Sequence, residues 1–179
     1  EINGRVLNVD EIFLDGESLS DLLAGNDITD PDPQPGDLTI TYDAVWSQNY
    51  RGSGAQNTFD PRPHQGFYSS TNGNQRSLIG FPTSQIQSDH GGRTITRVRV
   101  YLYASHWYNN SGGTAIIGHH GHTSAPGSFS ASTDNARSSS WPKPGGRWVT
   151  YDVGMQDWAT GAKSGIALGP GPSTSRTYY

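Results

Sequence analysis

From Arg97 to Ala104 the chain alternates without a break, with Val98, Val100, Leu102 and Ala104 at even positions and Arg97, Arg99, Tyr101 and Tyr103 at odd ones. Successive side chains on a strand point to opposite faces, whereas a helix would scatter this pattern around its axis. Residues 93–106 are therefore read as a half-buried strand, dry on one side and wet on the other. A strand of this kind needs partners and an opposing layer. With only 32% hydrophobic residues, 23 Gly and 11 Pro in 179 residues, that layer has to come from many short, turn-separated strands. Further strands are expected at 37–46, 65–71, 76–81, 113–119, 146–153 and 164–169. Turn-rich stretches such as Asn72-Gly73-Asn74, His90-Gly91-Gly92 and Lys143-Pro144-Gly145-Gly146 separate them. The fold class that follows is all-β, an antiparallel sandwich of jelly-roll type over residues 38–179. Met155, Trp158 and Ala159 recur at three- and four-residue spacing between Gly154 and Gly161, which predicts one short helix closing an end of the sandwich. Trp148 and Trp158 lie in periodic segments and are assigned to the core.

The first 37 residues differ in kind. Val6 to Leu14 reads as a strand or extended arm turned by Asp15-Gly16. Ser18 and Asp21 have capping-box spacing, Leu19, Leu22 and Leu23 form a stripe, and Gly25 sits where a helix would end. Ile12, Phe13, Leu14, Leu19, Leu22 and Leu23 are too few for an independent core. Residues 1–25 are therefore read as an anchoring arm that packs on its own domain, on another copy, or on a scaffold. Residues 26–37 carry Pro31, Pro33 and Pro35 and read as an extended spacer. At the other end, Arg176-Thr177-Tyr178-Tyr179 looks like the opening of a further strand, so the chain is expected to continue or to be completed by a partner.

Several chemistries find little to stand on. There is no cysteine, so disulfides and zinc thiolates are excluded together. A net charge of −4 gives no basic stripe for nucleic acid, and no apolar run approaches the roughly 20 residues of a spanning helix. No G-x-S-x-G motif occurs, and no Glu lies beyond residue 17 to serve as a tuned carboxylate in the β region. His119-His120-Gly121-His122 is the one metal candidate. On a strand His120 and His122 would share a face, within reach of one zinc or nickel ion, and a solvated polar loop is the other reading. Asp27, Asp30, Asp32 and Asp37 are taken as solvated linker charges rather than calcium ligands. The expectation is a chain without catalytic residues or cofactor.

The aromatic inventory points instead to binding. Trp107, Tyr108, Trp141, Tyr101 and Tyr103 are flat, amphipathic rings at loop ends or on the wet face of a strand, and such rings stack on the C–H faces of sugars. They are the candidate glycan residues; packing or subunit contact is the other reading.

Gln75 to Pro82, Ile95 to Tyr103, His106-Trp107-Tyr108 and Gly165 to Gly169 together resemble the β-sandwich domains of phage minor tail and tail-fibre proteins, especially those of phages infecting Gram-positive, actinobacterial hosts. The opening Arg5 to Gly16 is similar to virion-anchoring segments of such proteins. The resemblance implies a non-enzymatic, often oligomeric virion component, extracellular on the particle. It would be joined to other virion proteins through its arm and face a host-surface glycan, without entering the membrane. A carbohydrate-binding module of a secreted polysaccharide-active enzyme is the alternative, and a small metal-dependent hydrolase using the histidines comes third.

Overall fold

The computed structural model describes residues 2–9, 38–58, 62–104, 113–141 and 145–169. Ten strands are formed among them: β1 (Ile2–Val9), β2 (Ile40–Tyr42), β3 (Trp46–Tyr50), β4 (Gly66–Ser69), β5 (Gly73–Gly80), β6 (Val98–Ala104), β7 (Gly113–His120), β8 (Ser132–Trp141), β9 (Gly145–Tyr151) and β10 (Gly165–Leu168). Every pairing between them is antiparallel, as the alternation predicts. A four-stranded sheet runs β2-β1-β6-β9. A six-stranded sheet runs β3-β5-β10-β7-β8, with β4 added beside β5. From β2 onward the chain passes back and forth between the sheets, and most neighbours within a sheet are distant in sequence.

One hydrophobic cluster joins the two sheets. Val98, Val100, Leu102 and Ala104 of β6, with Val149 and Tyr151 of β9, meet Ile79 of β5, Ala115 and Ile117 of β7, and Ile166 and Leu168 of β10. The even positions of β6 are thus the dry face, and burying each such aliphatic side chain contributes about 1.5–3 kcal/mol. Two helices close the layer: α1 (Thr83–His90) and α2 (Gln156–Thr160). The expected helix between Gly154 and Gly161 is α2, ended by Gly161 in a left-handed conformation at φ 80°. Its Trp158 is fully buried against the edges of Phe81 and Tyr151. Lys163 is only 4% exposed and holds the approach to α2, donating to the carbonyls of Val153 and Gly154 and pairing with Asp157 at 3.3 Å.

Two elements depart from expectation. Helix α1 has a polar sequence with one aliphatic residue, and its buried positions Thr83, Ile86 and His90 fall on one side at helical spacing. Strand β8, Ser-rich and without an apolar period, is the edge of the larger sheet and is held by its backbone ladder to β7. The expected strand 37–46 is divided into β2 and the start of β3, which belong to different sheets. The arm is also divided. Residues 2–9 form β1, paired on one side with β2 and on the other with β6. Ile12, Phe13, Leu14, Leu19, Leu22 and Leu23, the spacer at 26–37 and the segment 176–179 lie outside the described residues.

The outer face of the larger sheet is covered by the segment after β7. Tyr50, Leu78 and Ala167 form a second cluster with Trp46, Phe129 and Ala131. Tyr50 donates its hydroxyl to the carbonyl of Pro126, and burial pushes that phenol up to about 12, partly opposed by a hydrogen bond with Gln56. The indole of Trp46 lies directly over Gly80, so that a Cβ there would strike its ring. Gly80→Ala is expected to destabilise the fold by about 1–3 kcal/mol, as overpacking does. Adding Trp46→Leu in the same chain recovers part of that loss; urea titration of the two variants measures both effects.

Candidate functional site

The wet face of the four-stranded sheet carries two exposed aromatic residues, Trp148 and Tyr103, with Tyr101 beside them. In the β6–β9 register Tyr101 stands opposite Trp148, Arg99 opposite Thr150 and Tyr103 opposite Gly146. Because Val149 and Tyr151 point into the core, Trp148 and Thr150 point out beside Arg99 and Tyr101. Trp148 is 44% exposed and Tyr103 is 40% exposed, which corrects the assignment of Trp148 to the core. The tyrosine and tryptophan rings are 5.1 Å apart at 56°, and the guanidinium of Arg99 sits 4.7 Å from the indole centroid. That distance is within cation–π range. A Cβ at Gly146 would collide with the Tyr101 hydroxyl, so the glycine lets the phenol lie along the sheet instead of standing away from it. The result is a strip of tilted aromatic rings in which the Arg99 guanidinium packs over the indole of Trp148.

Of the five expected glycan residues, Tyr101 and Tyr103 belong to this strip. Trp141 ends β8 at the edge of the other sheet, with its backbone opposite Gly113. Trp107 and Tyr108 lie outside the described residues. Trp148 and Arg99 are the members the sequence reading missed. The signal was present in 147–151, where Val149 and Tyr151 occupy the dry positions and leave Trp148 on the wet side.

The histidines are arranged differently from either expectation. His119 and His120 are not in a solvated loop; they end β7, paired with Ile166 and Gly165 of β10. His120 is 2% exposed. Its Nε2 lies 3.1 Å from the carbonyl of Ile79, and its Nδ1 accepts the backbone N–H of His122 at 3.1 Å. This pattern requires the neutral ring with its proton on Nε2, and it leaves no ring lone pair free for a metal. His122 does share the face, its ring stacked 5.4 Å from that of His120, but its Nε2 contacts the carbonyl of Ser130 at 2.9 Å. Among the described residues, no group of three or more His, Asp or Glu side chains is placed to hold an ion. On its other side His120 packs on Trp46, the ring centroids being 5.3 Å apart, and its imidazole occupies the space that a Cβ on Gly165 would need.

A second polar cluster is buried against β5. The Asn49 amide nitrogen donates to Gln75 Oε1 at 2.9 Å and lies 3.3 Å from His64 Nδ1. The Ser77 hydroxyl accepts the backbone N–H of His64 and donates to the carbonyl of the same residue. A serine and a histidine therefore meet here, but through the histidine backbone, so the hydroxyl is not set up for deprotonation by the imidazole. Gln65 accepts from the Ile116 N–H at 2.8 Å. These contacts fasten residues 64–65 onto the larger sheet.

Burial, the largest cause, lowers His120 from the ordinary 6.5 to about 4, against the opposing hydrogen bond to Ile79, and burial also lowers His90. The unfolded chain consequently binds more protons than the folded one between those two values, so stability is full above about pH 6.5 and falls as pH drops toward 4. The His120 share of that loss is on the order of 3 kcal/mol. Urea midpoints measured across this range should fall for the parent chain and fall less for His120→Gln; equal slopes would show that His120 is not the group responsible. Comparisons of this chain with protein-family models, with curated proteins and with solved structures return no match.

Proposed function

We propose that this chain is a non-enzymatic surface-attachment domain that holds a saccharide on the outer face of its four-stranded sheet. One observation carries the reading: Tyr101, Trp148 and Tyr103 lie on the outer face of adjacent, paired strands, with Trp148 and Tyr103 exposed and Tyr101 half-buried beside them. Pyranose rings have apolar C–H faces and polar rims. A strip of aromatic rings that carries phenol hydroxyls offers partners to both. The fit needs no rearrangement, because the rings are pre-positioned by the sheet below.

The resemblance to phage tail and tail-fibre domains makes this a host-attachment surface displayed on a virion, where many copies turn a modest affinity into firm adhesion. The carbohydrate-binding module of a secreted enzyme remains the second reading, favoured by the same strip and by the pairing of residues 2–9 within the sheet.

Trp148→Ala and Tyr103→Ala should each reduce retention on purified bacterial cell-wall polysaccharide by about tenfold, near the 0.5–1.5 kcal/mol or more that a stacked ring provides. The melting temperature should stay within about 2 °C of the parent value, since neither ring is in the core. Unchanged retention with both rings removed would rule out the strip as the binding surface.

A further inference from the structure

Residues 121–131 run from the end of β7 to β8 as a strap over the outer face of the six-stranded sheet. They form no strand of their own, and more than half of them are exposed. Beneath them Tyr50, Leu78 and Ala167 are fully buried, with Phe129 and Ala131 of the strap packed on top. The strap is pinned at its middle by the Pro126 carbonyl, which accepts from the Tyr50 hydroxyl at 2.8 Å and from Gln56 Nε2 at 2.9 Å. Near its end the Phe129 N–H donates to the carbonyl of Gly54. Two histidines hold its root: the His122 N–H donates to His120 Nδ1, and His122 Nε2 meets the carbonyl of Ser130 at the far end.

We infer that residues 121–131 are an acid-released strap: a proton taken up by His120 frees the strap and uncovers the apolar patch on the outer face of the six-stranded sheet. His120 receives the His122 N–H only as a neutral ring, because its Nε2 is engaged with the Ile79 carbonyl. A second proton lands on Nδ1 and sets a donor against a donor. The cation so formed sits among Trp46 of β3, Ile79 of β5, Gly165 of β10 and the stacked ring of His122. The titratable groups that act on it are His122 and His119, both of which oppose further positive charge, and no carboxylate among the described residues pairs with it. Of the segments around this ring, β3, β5, β7 and β10 are fixed in the sheet ladder and the strap is not, so the strap is what gives way. Burial, the largest cause, lowers the ring to about 4, and an opened strap returns it toward the ordinary 6.5. Opening therefore becomes about tenfold more favourable for each pH unit lost between those values.

Hydrogen exchange of the full chain, corrected for the intrinsic pH dependence of amide exchange, tests this. Between about pH 7 and about pH 5 the opening constant at the His122 and Phe129 amides should rise about twentyfold, while those amides remain less protected than Leu78 and Ala167 of the sheet at both values. His120→Gln keeps an acceptor and a donor without the titration and should remove most of that rise. Phe129→Ala should loosen the strap at both pH values and keep the ratio. In that loosened variant an apolar naphthalene sulfonate dye should bind more at about pH 5 than at about pH 7, and adding His120→Gln should abolish the difference. A strap whose protection does not change with pH, or changes equally in His120→Gln, overturns the inference. So does a strap that exchanges in step with Leu78 and Ala167, which would mean global unfolding, and so does dye binding that ignores pH. Should His120→Gln fail to fold, imidazole nitrogen NMR of the parent chain decides: a His120 ring that titrates near 6.5 while the strap amides stay protected overturns the inference, and one that stays protonated on Nε2 alone until they lose protection supports it.

Discussion

Strand β6 is gripped on both sides, by β1 and by β9, and the pleat of that one strand sets the chemistry of two surfaces at once. Val98, Val100, Leu102 and Ala104 go down into the cluster that spans both sheets, and Arg99, Tyr101 and Tyr103 stay on top. A slip of one residue would exchange the two sets, placing guanidinium and phenol groups in the core. The cost of burying those groups unpaired would exceed anything the new register could return. Core packing therefore holds the outer strip in place, although none of the strip's residues belongs to the core.

Glycine does a related job in three places. At Gly80, Gly146 and Gly165 the absence of a Cβ allows the rings of Trp46, Tyr101 and His120, respectively, to lie against the sheets. Two of these rings, Trp46 and His120, pack on each other at a tilt of 38°. The third supports Trp148 on the exposed side. Aromatic side chains laid flat cover much sheet surface per residue, which suits a chain with few aliphatics. Abundant glycine here belongs to layer packing as well as to turns.

Elements with a period were legible; those held by backbone ladders or by buried polar contacts were not. Strands β6, β7, β9 and β10 and helix α2 follow from alternation or helical spacing. Strand β8 carries no apolar period because it is an edge, and α1 has a single aliphatic residue because most of its surface is wet. His120 looked like a loop histidine from its glycine neighbour. Its burial depends on Gly165 and Ile79, which the sequence places 45 and 41 positions away. Trp148 shows a different error: a large aromatic in a periodic segment was assigned inward although its neighbours Val149 and Tyr151 already occupied the inward positions. Phase within a strand is stronger evidence than the size of a side chain.

What a ligand on this strip would meet is set locally. At physiological ionic strength fields fade over roughly 8 Å, so such a ligand would respond to the groups beside the rings far more than to the total of −4. Stacking on Trp148 and Tyr103 involves no net charge on a neutral sugar, so the hold of this face on such a sugar would change little with added salt.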